Sequence, residues 1–297
     1  MITVSDLYKS FDGFPALDGV DLTVPTGSIY GLVGPNGSGK TTLIKHLTGV
    51  FMADQGHIEI DEQDVRDNAA LRHRVAYIPD DLYFFPQANI KDMMKFYQRM
   101  YPSFSPERFD RLREVFDLDE KKAIRRFSRG MKKHVAFMLT LSFVPDIYIL
   151  DEPMDGLDPV ARRKVWNLLF QEVAERQCTV VVSSHNLREL EDVCDHVGIM
   201  HQGKVVLERS LDELQSNIFK FQTAYRHEAP DLSHLNILAV SHIGSVLQFI
   251  IRGDKEHILG EVQATNPLMI DVLPLSLEEI FIHELGGMDY AIKDIIL

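Results

Sequence analysis

Two short stretches of this sequence hold residues whose types and spacing can do chemistry on a phosphate. The first is Gly34-Pro35-Asn36-Gly37-Ser38-Gly39-Lys40-Thr41-Thr42, which fits G-x-x-x-x-G-K-[ST] at every position. Residues 28–33 before it read as a buried strand and residues 43–47 after it as the first turns of a helix, the context that makes the pattern a phosphate cradle. Its glycines let successive backbone N–H groups turn inward around an anion, and the helix N-terminus adds the positive end of its dipole. In that arrangement Lys40 reaches the β- and γ-phosphates of a nucleoside triphosphate, and the Thr41 hydroxyl ligates Mg²⁺. This stretch alone leaves kinases, GTPases and many ATPases open. The second stretch, Leu150-Asp151-Glu152-Pro153, narrows them. An acid ending an apolar strand beside the cradle holds Mg²⁺ through water, which assigns Asp151. The adjacent Glu152 accepts a proton from an attacking water, whereas a phosphotransferase needs its base beside a substrate hydroxyl.

These groups must be positioned by a sheet. Residues 2–8 and 17–24 alternate apolar and polar around the turn signal Asp12-Gly13, with Phe11 and Phe14 read as part of the turn, and predict antiparallel strands. Residues 57–60, 75–78, 147–150 and 179–183 read as further strands, and Pro79-Asp80-Asp81 breaks the pattern after 75–78. From Asn89 to Ser142 the spacing turns helical, with a restart at Ser105-Pro106. Pro159 to Arg176 reads as a long helix. Strands alternating with helices predict an α/β fold with a mostly parallel sheet, carrying an antiparallel β subdomain and a helical insertion over about 82–145. Residues 197–200 and 205–207 predict a hairpin across Gln202-Gly203. From about Ile218 the texture becomes strand, two strands, helix, strand, helix, ending at 276–285, which predicts a small α+β domain. The expected domains are thus 1–217 and 218–297.

Composition narrows the partners. With 297 residues, 45% hydrophobic and 25% charged, the chain is that of a globular protein with a sizeable core. A net charge of −13 argues against nucleic acid as a partner, because a phosphate backbone demands a basic face. Cys178 and Cys194 are too few and too isolated for a disulfide framework or a metal site, and read as free core thiols. No basic and apolar leader precedes the first strand, and the longest apolar run, 135–144, falls far short of the ~20 residues that span a bilayer. The expectation is a cytoplasmic chain whose membrane role, if it has one, comes through a partner.

Three more stretches complete an ordered set. Phe127-Ser128-Arg129-Gly130-Met131 opens a helix between the two phosphate motifs, Asp155-Gly156-Leu157-Asp158 follows the acids, and Ser183-Ser184-His185 ends the next strand. In order and spacing they resemble the ATP-binding subunit of an ABC transporter, over about residues 2–215. The resemblance implies a P-loop NTPase core of the RecA-like type, with ATP and Mg²⁺ as ligands and ATP-driven head-to-tail dimerisation, either with a second copy or with a paralogue. It implies that Phe11 stacks on adenine in place of the usual tyrosine. It further implies that Ser128 and Gly130 contact the γ-phosphate bound by the opposite subunit, that Asp158 lies at the dimer interface, and that His185 contacts the γ-phosphate and orients the water. The chain departs from the family pattern at Asp80 and in the signature, where Phe127, Arg129 and Met131 replace three of the five positions of Leu-Ser-Gly-Gly-Gln. Asp80 stands where a Mg²⁺-touching glutamine is usual, and is carried over as a metal ligand with Thr41 and Asp151. Arg129 stands within the signature and is expected to add a charge-assisted contact across the interface. The run Leu275-Ser276-Leu277-Glu278-Glu279-Ile280-Phe281 resembles bacterial drug- or antibiotic-type exporters, whose permease is a separate polypeptide. The implied location is the inner face of the cell membrane, reached through that permease. The alternative, a soluble ABC-type ATPase acting on DNA or the ribosome, is disfavoured by the acidic chain and the single motif set.

Overall fold

The structure is a computed structural model that describes residues 1–226 and 231–284. Asp12 and Gly13 both take positive φ, 49° and 81°, which suits a tight two-residue turn between twisted strands. Strand β1 (Ile2–Phe11) therefore folds back on β2 (Phe14–Val24), paired from Phe11↔Phe14 to Ile2↔Val24 with register shifts between Val4 and Leu7, Leu7 and Tyr8, and Lys9 and Ser10. Phe11 and Phe14 are strand residues flanking the turn and not part of it, because the ladder runs to its edge. Strand β3 (Ile29–Val33) leads through the glycine loop into α1 (Lys40–Leu47). The chain then returns through β4 (Gln55–Ile60) and β5 (Gln63–Asp64) to complete an antiparallel sheet of order β2-β1-β4-β5.

A short helix α2 (Ala69–Arg72) precedes β6 (Val75–Ile78). The helical insertion follows, each helix opened by a side-chain cap that satisfies otherwise orphaned N–H groups. Asn89 and Asp92 form a reciprocal capping box at α3 (Ile90–Met100), Ser105 caps α4 (Pro106–Phe116), and Ser128 caps α5 (Arg129–Ser142). Strand β7 (Ile147–Leu150), helix α6 (Pro159–Arg176), and strands β8 (Thr179–Ser184), β9 (His196–His201) and β10 (Lys204–Ser210) finish the second sheet, of order β10-β9-β3-β8-β7-β6. The pairs β3–β8, β3–β9, β7–β8 and β6–β7 are parallel. Every residue of β3, β7 and β8 is buried, as continuous apolar runs in a covered parallel sheet should be. The main core joins both sheets through α1, with Leu7, Val20, Leu32, Leu43, Ile60 and Ile149 among its buried members.

The chain divides into two units, residues 1–186 with 193–208, and 187–192 with 209 onward. The second unit starts with α7 (Leu211–Ser216) and continues through β11 (Ile218–Ala224), β12 (Ile237–Ile243), β13 (Val246–Arg252), α8 (Lys255–Ala264), β14 (Met269–Leu273) and α9 (Leu277–Glu284). Its sheet, of order β12-β13-β11-β14, is antiparallel throughout and packs Phe221, Phe249 and Ile251 against Ile258 and Val262 of α8. Within this unit the segment 187–192 is tied to the start of α9. Arg188 makes a two-pronged ion pair with Glu278, at 3.1 and 2.9 Å, and Glu191 accepts from the Leu277 N–H at 2.8 Å. The change of texture at Ile218 marks the start of the unit's sheet, while the unit itself takes in residues 187–192 and resumes at Arg209. Residues 285–297, which include Leu285 of the expected last helix and the end of the expected second domain, lie outside the described residues.

One glycine in the antiparallel sheet is set by close approach. Gly56 on β4 has φ +83°, and a Cβ there would sit 2.2 Å from the Asp6 carbonyl oxygen, opposite the β1 irregularity between Ser5 and Tyr8. Both the backbone conformation and the contact exclude a side chain. Gly56→Ala should therefore lower the free energy of unfolding by about 3 kcal/mol, measured by denaturant titration. A change within experimental error would show that the bulge relaxes freely.

Candidate active site

Parallel pairing brings the motifs to one edge. Val33 lies opposite Ser184 on β8, and Leu150 lies opposite Val182. The glycine loop, the acid pair and His185 therefore all leave the sheet at the carboxyl ends of neighbouring strands, where open α/β sheets place their ligands.

The glycine loop is shaped by what presses on it. A Cβ on Gly34 would meet the Met200 carbonyl oxygen at 2.3 Å, and one on Gly39, where φ is +108°, would meet the Ala16 carbonyl oxygen at 2.8 Å. Only glycine fits either position. Helix α1 begins at Lys40 with no side-chain cap and no acid in its first turn, among the described residues. Its leading N–H groups are thus left for an anion. The Ser38 hydroxyl is buried with no hydrogen-bond partner among the described residues. Lys40 Nζ donates to the carbonyls of Gly34 at 2.6 Å and Pro35 at 3.2 Å, and lies 3.6 Å from Glu152 Oε1. Burial pulls its pKa down, opposed by Glu152 and Asp151. A buried cation, an orphaned hydroxyl and an uncapped helix together fit a polyphosphate.

The acids are held from several sides. Asp151 is 1% exposed, and Ser183 Oγ donates to its Oδ1 at 2.6 Å. The same hydroxyl accepts from the Glu152 N–H at 2.9 Å. A carboxylate this deeply buried calls for a cation, and the chemistry of this acid, with the Thr41 hydroxyl at the start of α1, is that of oxygen ligands for a hard divalent ion. Glu152 sits in the left-handed region, at φ 45°, which a non-glycine residue keeps only where its surroundings impose it. Its Oε2 accepts from His185 Nδ1 at 2.9 Å, and Lys133 Nζ donates to its carbonyl at 2.5 Å. Asp155 joins the group: one side-chain ligand atom each from Glu152, Asp155 and His185 lie within 4.8 Å of one another.

The structure thus brings Lys40, Asp151, Glu152 and His185 together. The other expected site residues have local duties as well. Phe11 is 41% exposed and meets Phe51 edge-on, at 5.5 Å between ring centroids. Ser128 caps α5 by accepting from the Met131 N–H. Gly130 packs on the Gly156 carbonyl, which a Cβ would approach to 2.7 Å. Asp158 caps α6, and the backbone N–H groups of Ala161 and Val160 hold its carboxyl below the usual range. Asp80 accepts from Arg129 at 2.5 Å and lies 3.6 Å from Lys133. Motif reading gives no role to Ser183, although it lies in the stretch that ends at His185, and misses Lys133. Ser183 reads as the end of a strand, and Lys133 as one more charge on a helix; only long-range contact shows either beside Glu152.

Comparison with known proteins agrees with this geometry. Residues 17–155 match the family described as ABC transporter. The chain is 31% identical to the ABC transporter ATP-binding protein YtrB of Bacillus subtilis, across 97% of this chain and 99% of that protein. It is 31% identical to the bacitracin transport ATP-binding protein BcrA of Bacillus licheniformis, across 97% of this chain and 98% of that one. A solved structure described as an ATP binding subunit of an ABC transporter superposes with a TM-score of 0.67 at 28% identity, covering 72% of this chain and 92% of that one. A dimeric post-hydrolysis cassette, MJ0796 bound to ADP and Pi, shares the fold with a TM-score of 0.65 at 21% identity, covering 71% of this chain and 99% of that one. A relative of this identity, matched along nearly its whole length, settles the kinship: the chain belongs to the ATP-binding proteins of ABC transporters.

Proposed function

We propose that this chain, which hydrolyses ATP for transport, is the energy-supplying subunit of an exporter and works as a head-to-tail dimer beside a separate permease. The observation that carries the reading is the Glu152 carboxylate, held between Lys40 at 3.6 Å and His185 at 2.9 Å beside the glycine loop. Glu152 accepts the proton of the attacking water, and His185 keeps the carboxylate aimed. Residues 34–42 cradle the triphosphate, with Lys40 turning from the loop carbonyls to the phosphate oxygens. Thr41 and Asp151 hold Mg²⁺, and Asp80 is a third candidate whose carboxylate is shared with Arg129 and Lys133. When bound, that ion draws charge off the β- and γ-phosphates. Phe11 offers its exposed face to the adenine. Ser128 and Gly130, at the N-terminus of α5, close over the γ-phosphate of the other subunit, whether a second copy or a paralogue, and Asp158 lies where the two meet.

One observation favours a partner protein. Tyr83, Phe85, Phe96 and Met100 are exposed on and just before α3, with Phe85 and Phe96 edge-on at 5.1 Å. An apolar aromatic patch of this kind is a surface for another protein. On this reading the inner face of the cell membrane is reached through the permease; among the described residues no helix is long and apolar enough to cross a membrane. The exporter class rests on kinship with proteins named for bacitracin transport and, at 28% identity, for daunorubicin resistance in Streptomyces coeruleorubidus.

Glu152→Gln should cut ATP turnover by roughly 10²-fold or more and leave an ATP-dependent dimer visible by size-exclusion chromatography. Turnover at the level of the unaltered chain would remove Glu152 from its role. Purification from membranes should recover a permease, whereas recovery of ribosomes or DNA would overturn the transport reading. Ser183→Ala tests the hold on the acids. It should lower kcat roughly tenfold with KM for ATP within about threefold, and cost ~1–2 kcal/mol of stability through the orphaned Glu152 N–H.

A further inference from the structure

Asp80, Arg129 and Lys133 form a charged cluster beside the Glu152 turn. Arg129 opens α5 and Lys133 follows one turn later, so both cations share one face of the helix. Both converge on a single oxygen, Asp80 Oδ1, at 2.5 Å from Arg129 Nη2 and 3.6 Å from Lys133 Nζ. Arg129 Nη2 also lies 3.8 Å from Asp155, and the aliphatic part of its side chain runs beside Gly156. The Lys133 side chain is wholly buried, and its ammonium donates at 2.5 Å to the carbonyl of Glu152. The end of β6 is tied to the same turn a second time, because the Asp151 N–H donates to the Ile78 carbonyl at 2.8 Å.

A buried ammonium is costly unless it is paired and hydrogen-bonded, and here both partners lie within the active-site turn or two residues past β6. Burial lowers the Lys133 pKa and Asp80 opposes that shift. Glu152 meanwhile holds a left-handed backbone that must be imposed from outside. Ser183 fixes its N–H, His185 and Lys40 fix its carboxylate, and Lys133 fixes its carbonyl.

We propose that Lys133 is a positioning residue for hydrolysis, clamping the Glu152 backbone, and that Asp80 serves in this chain chiefly as the counter-ion of Lys133 and Arg129 and not as a metal ligand. A neutral glutamine at position 80 would leave two cations facing one amide oxygen; an aspartate there balances them. The clamp joins the end of β6, the start of the signature helix and the catalytic turn within one chain, and it assigns Arg129 a partner in its own subunit.

The inference rests on Glu152 being the base, and the test separates the two. ATP turnover, binding of a fluorescent ATP analogue and its Mg²⁺ dependence are measured on the full chain for Lys133→Met, Asp80→Asn, Arg129→Gln and the pairwise doubles. Lys133→Met should lower kcat roughly tenfold or more with analogue affinity within about threefold, as expected for a displaced base. Asp80→Asn should lower kcat with the Mg²⁺ midpoint of analogue binding unchanged, and its doubles with Lys133→Met and Arg129→Gln should fall short of the product of the single effects. If Lys133→Met does not fold, Asp80→Asn and Arg129→Gln, both at half-exposed side chains, carry the cycle. Unchanged kcat in Lys133→Met, fully multiplicative doubles, or a tenfold rise in the Mg²⁺ midpoint with Asp80→Asn would each overturn the proposal. Loss of turnover in Glu152→Gln alongside any of these sinks the clamp alone; retained turnover in Glu152→Gln sinks the base.

Discussion

The parallel pairing of β3 with β8 and of β8 with β7 is the constraint on which the rest of the structure depends. It fixes where three separate stretches of chain leave the sheet, and so places a phosphate loop, an acid pair and a histidine within reach of one another. A slip of one residue in either pairing would turn every buried side chain of those strands to the opposite face. Because the strands are buried on both faces, a slip is opposed by the close packing of their side chains and by polar pairs that the register sets, such as Ser183 with Asp151. Chemistry here is a consequence of sheet register. The antiparallel sheet of β1, β2, β4 and β5 contributes by packing on α1, which fixes the helix whose first residues form the end of the cradle.

The turn after β7 concentrates the strain that this register permits. Glu152 takes a backbone conformation unfavourable for its residue type, and four groups from distant stretches hold it there: Ser183, His185, Lys40 and Lys133. Strain of this kind is of order 1–3 kcal/mol and persists only where the surroundings over-determine it. The surroundings do so, and they draw on the glycine loop, the signature helix and β8 at once. A movement of any of these elements reaches the carboxylate. That makes the turn a natural place for hydrolysis to respond to how α5 is held.

How much of this was legible in the sequence depends on distance along the chain. The glycine loop, the acid pair and the histidine are contiguous motifs whose local context, strand then loop then helix, was also readable, and the fold class and the second unit's order of strands and helices followed from periodicity. The turn at Asp12-Gly13 was legible, but pattern alone placed Phe11 within it and not on the strand. What was not legible is pairing between residues far apart. Asp80 and Arg129 are 49 residues apart, and Lys133 and Glu152 are 19 apart, so nothing local indicates that they meet. The same holds in the second unit. Leu277, Ile280 and Phe281 show helical spacing, yet the pairing of Glu278 with Arg188, 90 residues away, has no signature in either segment.

Charge explains why the cradle must work through its backbone. Around the turn, Asp80, Asp151, Glu152 and Asp155 face Lys40, Arg129 and Lys133, with Arg129 and Lys133 both committed to Asp80. Lys40 is the cation left facing both the acids and the loop that receives a triphosphate. The net charge of −13 does not favour the approach of an anion. Attraction must come from short-range sources: the N–H groups at the start of α1, the Lys40 ammonium and, on the proposed reading, a divalent ion that Asp151 would hold and that would offset this buried acid. The same reasoning limits where a further carboxylate can stand. Asp80 is tolerable near this site because two cations on α5 already neutralise it, and removing them would set its charge against the triphosphate.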